Sequence, residues 1–144
     1  MNPNVLFVDD AASRINRFRQ ETVGQRCRSE FAKNTSEAIA LLMHEPDIVF
    51  LDHDFKDERD WDCGMRVVEF IVAGRRNNKV NFNPVVIIHS ENEDAQIAME
   101  ATLRAADIEV VIRPYFDLKD GEELRLIENH APRVATFGGG ILGI

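Results

Sequence analysis

Cysteine is scarce in this chain. Cys27 and Cys63 are the only two in 144 residues, and neither belongs to a C-x-x-C pair. That excludes a disulfide framework, and no Cys/His spacing reads as a zinc site. Long apolar runs are also missing. None approaches the roughly 20 residues that cross a bilayer, which argues against a membrane role. Positive charge is in deficit, with 17 Lys and Arg against 25 Asp and Glu and a net charge of -8. A protein that grips duplex nucleic acid needs a basic face, so that class is set aside as well. No internal repeat is visible, and no secretory leader is expected. The expectation is a cytoplasmic protein with reduced thiols.

What remains is globular in character, with 44% hydrophobic and 29% charged residues. The length suits one domain around one core. We place it at residues 1–132, followed by a glycine-rich apolar tail over 133–144 that ends Phe137-Gly138-Gly139-Gly140-Ile141-Leu142-Gly143-Ile144. The tail is too rich in glycine for a stable helix. It is either a free end or a segment that docks on its own domain or on a second subunit, which leaves a homo-oligomer open.

Apolar runs of four or five residues alternate with helix-like segments. Val5–Val8, Ile48–Leu51, Val85–Ile88 and Glu109–Ile112 read as buried strands, and Arg28–Ala32 as an edge strand. Between them, Ser13–Val23, a segment capped by Thr35 or Ser36 and running through Leu42, Gly64–Val72, Asp94–Ala106 and Leu118–His130 read as helices. Five β-α repeats with continuous apolar strands predict an α/β fold, a parallel sheet covered on both faces. With right-handed crossovers, the flavodoxin-like, doubly wound (βα)5 order 2-1-3-4-5 is expected.

Ligands in such sheets bind at the carboxyl ends of the strands. That is where this sequence places its ionisable groups. The run Ile48-Val49-Phe50-Leu51 passes straight into Asp52-His53-Asp54, Val5–Val8 into Asp9-Asp10, Val85–Ile88 into His89-Ser90, and the last strand into Arg113. Such groups are costly to bury unless something compensates them.

On these residues the chain resembles the receiver domains of two-component response regulators over nearly its whole length. Asp9-Asp10 looks like the acidic pair that holds magnesium, and Asp52 stands where a receiver accepts phosphate. Ser90 matches the hydroxyl residue after strand four, and Arg113-Pro114 stands where receivers usually carry lysine-proline. The departures are His53-Asp54 directly after Asp52, His89 before Ser90, Asn92 two residues on, and a longer loop before Gly64. "LDHD" together with "HSEN" looks like a divergent branch, the cyclic-phosphate-processing receivers. That resemblance implies action on phosphodiester or cyclic-phosphate substrates instead of phosphate relay.

The residues themselves support several chemistries. Asp9, Asp10, Asp52 and Asp54 would crowd negative charge into one pocket, and Mg2+ or Mn2+ with oxygen ligands would relieve it. Strands three and four are neighbours in the expected order, so His53 and His89 could face one substrate and share acid and base roles with Asp52 beside them. Ser90 and Asn92 offer hydrogen bonds to phosphate or a cap to the next helix. Arg113 can bind phosphate bidentately or pair with the acidic cluster. Arg14 could contact substrate, and Trp61 and Tyr115 would border the pocket. His44 and His130 are assigned to helix ends.

Three functions fit. The first is a metal-dependent phosphoesterase for a small nucleotide or cyclic phosphate. The second is a receiver with Asp52 as nucleophile and Ser90 and Tyr115 as reporters of its state. The third is a non-catalytic nucleotide sensor or interaction module.

Overall fold

The computed structural model describes residues 2–55, 63–77, 82–115, 118–119 and 121–130. Trp61 and the tail 133–144 lie outside the described residues. Five strands, β1 (Asn4–Val8), β2 (Arg28–Ala32), β3 (Ile48–Leu51), β4 (Val85–Ile88) and β5 (Val110–Ile112), alternate with five helices. These are α1 (Ala12–Thr22), α2 (Thr35–Leu42), α3 (Gly64–Arg76), α4 (Glu93–Arg104) and α5 (Glu122–His130). The sheet is parallel throughout, in the expected order β2-β1-β3-β4-β5.

The pleat of the sheet explains how the site is assembled. Successive side chains on a strand point to opposite faces. On one face Leu6, Val8, Val49, Leu51, Val86 and Ile88 pack under α2, α3 and α4, against residues such as Leu42, Ile71 and Met99. On the other, Val5, Phe7, Ile48, Phe50 and Ile87 pack under α1 and α5, against Ile15, Phe18, Leu126 and Ile127. The registers pair Phe7 with Phe50, Phe50 with Ile87, and Ile87 with Val111. Two residues further along each strand, this apolar row becomes Asp9, Asp52, His89 and Arg113. The pairing runs that far: Asp52 N–H donates to Val8 O at 3.0 Å, His89 N–H to Leu51 O at 3.0 Å and Arg113 N–H to Ile88 O at 2.9 Å. The four residues thus stand in one row at one edge, as the sequence predicts, on the face that α1 covers.

Several local expectations are corrected. The cap of α2 is Asn34, not Thr35 or Ser36: its side chain accepts from Glu37 N–H at 2.9 Å. Glu37 reaches back to Lys33 N–H at 2.8 Å, a reciprocal arrangement that satisfies two donors at once. Helix α3 runs four residues beyond Val72, to Arg76, because nothing in Ala73-Gly74-Arg75-Arg76 interrupts it. Helix α5 starts at Glu122 instead of Leu118, after a turn in which Gly121 takes φ 80°. His44 and His130 pair with Glu30 and Glu109 at 3.0 and 3.1 Å, binding helix ends to neighbouring strand segments.

Candidate metal and phosphate site

The carboxyl edge of β1 and β3 opens into a cleft of about 420 Å³ lined by Asp9, Asp10, Ala11, Arg14, Asp52, Asp54, Glu91 and Asn92. Asp9, Asp10 and Asp52 each offer an oxygen there, and those atoms lie within 4.8 Å of one another. Adjacent parallel strands ending in register produce this clustering.

Asp9 is fully buried and heavily bonded. Oδ1 accepts the Ala11 N–H at 2.9 Å, and Oδ2 faces His89 Nε2 at 2.8 Å and Arg14 at 3.4 Å. Burial pushes its carboxyl up, but His89, the Ala11 N–H and Arg14 outweigh that and hold it below the usual value. Asp52, also buried, has less support. Burial, with the charge of Asp9, pushes its carboxyl up to about 6 against the opposing pull of His89, the His53 N–H and Arg14. Three convergent oxygens, one on an acid held this near neutrality, fit a hard divalent cation, which would offset the charge that burial penalises. Asp54 is outside that triad. It lies on the rim, 60% exposed, where Oδ1 meets His53 Nδ1 at 2.7 Å and Oδ2 accepts from Asn92 Nδ2 at 3.3 Å.

The expectation that His53 and His89 face one substrate is corrected. His89 has no exposed surface. Its ring stacks on Phe7, with centroids 5.0 Å apart and planes 5° off parallel, and its Nε2 is engaged by Asp9. The alternation that brings His89 beside Asp9 also buries it under α1. His53 is the imidazole of the pair with solvent access, 20% exposed and joined to the cleft through Asp54.

Ser90 is buried, and its Oγ accepts the Asn92 N–H at 3.1 Å. Asn92 caps α4, taking the Ala95 N–H at 3.1 Å, while its amide reaches Asp54, so capping and lining coexist. Arg113 is not among the residues that line the cleft. It is ion-paired with Glu122 at the start of α5 instead of with the acidic cluster.

Arg14 takes the place that Arg113 leaves. Its guanidinium lies 3.4 Å from Asp9, 3.9 Å from Asp52 and 3.7 Å from Glu91, and 4.4 Å above the Tyr115 ring. The sequence signal is the spacing Asp10-x-x-x-Arg14 across the first turn of α1, which turns the arginine back toward the strand ends.

The model of the cyclic-phosphate processing receiver domain matches residues 4–105. No curated protein matches the chain. Among solved structures, the N-terminal domain of an uncharacterized protein from Wolinella succinogenes superposes with TM-score 0.69 at 16% identity, covering 97% of this chain and 100% of that one. A CheY-like response regulator receiver domain protein from Methanospirillum hungatei gives 0.61 at 13%, covering 90% and 93%. The Mn2+-bound form of response regulator Rcp1 gives 0.59 at 18%, covering 88% and 92%. At these identities the structural likeness speaks for the fold.

Proposed function

The chain belongs to the cyclic-phosphate processing receiver domains, and from that premise we propose that it is a divalent-metal-dependent phosphoesterase for a small nucleotide or cyclic phosphate. The observation that carries the reading is the convergence of Asp9, Asp10 and Asp52 in an open cleft whose rim carries the His53–Asp54–Asn92 chain. Asp9, Asp10 and Asp52 would hold Mg2+ or Mn2+. When bound there, the ion supplies Lewis-acid polarisation of a phosphoryl oxygen.

The rest falls to side chains. His53 Nδ1 is engaged by Asp54, which fixes that nitrogen as the protonated one and leaves the Nε2 lone pair to act as the base. Asn92 presents an amide at the rim. His89 acts through Asp9: it orients the carboxylate and holds its charge without touching substrate.

A second reading has specific support. The same three carboxylates and Ser90 are what a phospho-accepting receiver uses, with Asp52 as nucleophile.

The test is a screen of linear and cyclic nucleotides with and without Mg2+ or Mn2+, read by product mass, beside labelling with acetyl phosphate. We expect metal-dependent turnover that falls roughly 10²- to 10⁴-fold in His53→Ala. We also expect a metal-induced rise in melting temperature that Asp52→Asn abolishes. Stable labelling of Asp52 without turnover would transfer the assignment to the receiver. Tight nucleotide binding with neither labelling nor turnover would make the domain a sensor.

A further inference from the structure

Five carboxylates line the cleft: Asp9, Asp10, Asp52, Asp54 and Glu91. Arg14 is the one cation among the described residues lining it. An anionic phosphoryl group entering such a space meets strong repulsion unless positive charge is both present and free to turn toward it.

Arg14 is placed to do this. Its distances of 3.4, 3.7 and 3.9 Å to three carboxylates exceed the roughly 2.7–2.9 Å of a committed charge-assisted hydrogen bond. The guanidinium straddles several acids without forking onto any one. Its position is fixed from below by Tyr115, whose ring lies 4.4 Å from the guanidinium carbon. That cation–π contact does not depend on the state of the carboxylates. The neighbouring arginines are committed elsewhere. Arg17 binds Glu21, Glu123 and the Leu118 and Lys119 carbonyls, and Arg113 binds Glu122.

We propose that Arg14 is the anion-binding residue of the cleft, shared by Asp9 and Asp52 until a divalent ion takes those carboxylates and frees the guanidinium for the phosphoryl oxygens. The inference rests on the metal-dependent reading above and adds an order to it: the cation binds first and the anion second. By linkage, phosphate must then tighten metal binding by the factor with which metal tightens phosphate binding.

The experiment titrates Mn2+ into the full chain by calorimetry, with and without inorganic phosphate. It compares the wild type with Arg14→Gln, Arg14→Lys and Arg113→Gln. In the wild type, phosphate should tighten Mn2+ binding by about tenfold, within the usual span of site-to-site coupling. Arg14→Gln should bind Mn2+ alone at least as well as the wild type, because a competitor for the carboxylates is gone, and should lose the phosphate effect. Arg14→Lys should keep part of it, as a point charge without the fork. Arg113→Gln should keep all of it. Undiminished coupling in Arg14→Gln, with a normal Mn2+ titration, would overturn this proposal alone. So would weaker binding of Mn2+ by Arg14→Gln in the absence of phosphate. No Mn2+ binding by the wild type would overturn the metal-dependent reading and this inference together.

Discussion

Glu123 is an acid that the fold keeps close to neutral. It is fully buried between α5 and α1, and burial, together with the hydrogen bond and charge of Glu21, raises its carboxyl to about 7 against the pull of Arg17. An acid whose folded value is raised binds its proton more tightly in the native state than in the unfolded chain. Stability therefore falls as pH rises from the ordinary carboxyl range toward 7, and levels off above that. Glu123→Gln keeps an acceptor for Arg17 and abolishes the titration. Its unfolding free energy should gain about 3 kcal/mol on the wild type between pH 4.5 and pH 7.5, measured by denaturant melts. A gap independent of pH would remove Glu123 as the cause. At this scale the sequence discriminates poorly. As text the strand-end Arg113 is the stronger phosphate candidate and Arg14 the weaker, and what turns the choice is Glu122, whose placement at the start of α5 brings it onto Arg113. The burial of His89 is hidden for a similar reason: it depends on Phe7, a partner 82 positions away in the chain.

Helix α3 begins against the backbone of the site. Gly64 N–H donates to His53 O at 2.8 Å, and a Cβ at position 64 would land on the Asp52 carbonyl and 2.8 Å from His53 Cα. The neighbours are main chain and cannot swing aside. Gly64→Ala should therefore cost at least about 1–3 kcal/mol in denaturant melts and, by displacing Asp52, reduce the Mn2+-induced rise in melting temperature. A variant that keeps both would mean that the strand end yields freely. Elements are far more legible than side-chain choices. Every strand and helix among the described residues is anticipated, since short apolar runs and a 3.6-residue spacing are local properties. The misplacements are at ends. Asn34, Thr35 and Ser36 are all competent caps, and Glu37 reaching back to Lys33 favours the first. The start of α5 follows a glycine in the left-handed region, which propensity alone does not reveal.

Across the whole molecule, one aromatic stack carries both core and site. Phe18 of α1 lies 4.5 Å from Phe7, which lies 5.0 Å from His89, which holds Asp9. Phe18→Ala should cost about 3–5 kcal/mol of unfolding free energy. It should also weaken Mn2+ binding, because the ring that supports His89 would lose its own support; calorimetry on the folded variant checks this. The strand order and the row Asp9, Asp52, His89, Arg113 are readable from the chain because period-two alternation carries a face from core to edge without interruption. Another feature looks outward. Asp54 bridges Cys63 in antiparallel fashion, and Gly64 closes on His53 beside it. Asp54 and Cys63 are thus tied to each other whatever sequence joins them. Doubling such a closed excursion costs only about 0.6 kcal/mol in chain entropy. Descendants of this domain can therefore lengthen or shorten the sequence that joins Asp54 to Cys63 at little cost, while the row of carboxylates at the strand ends stays under separate selection.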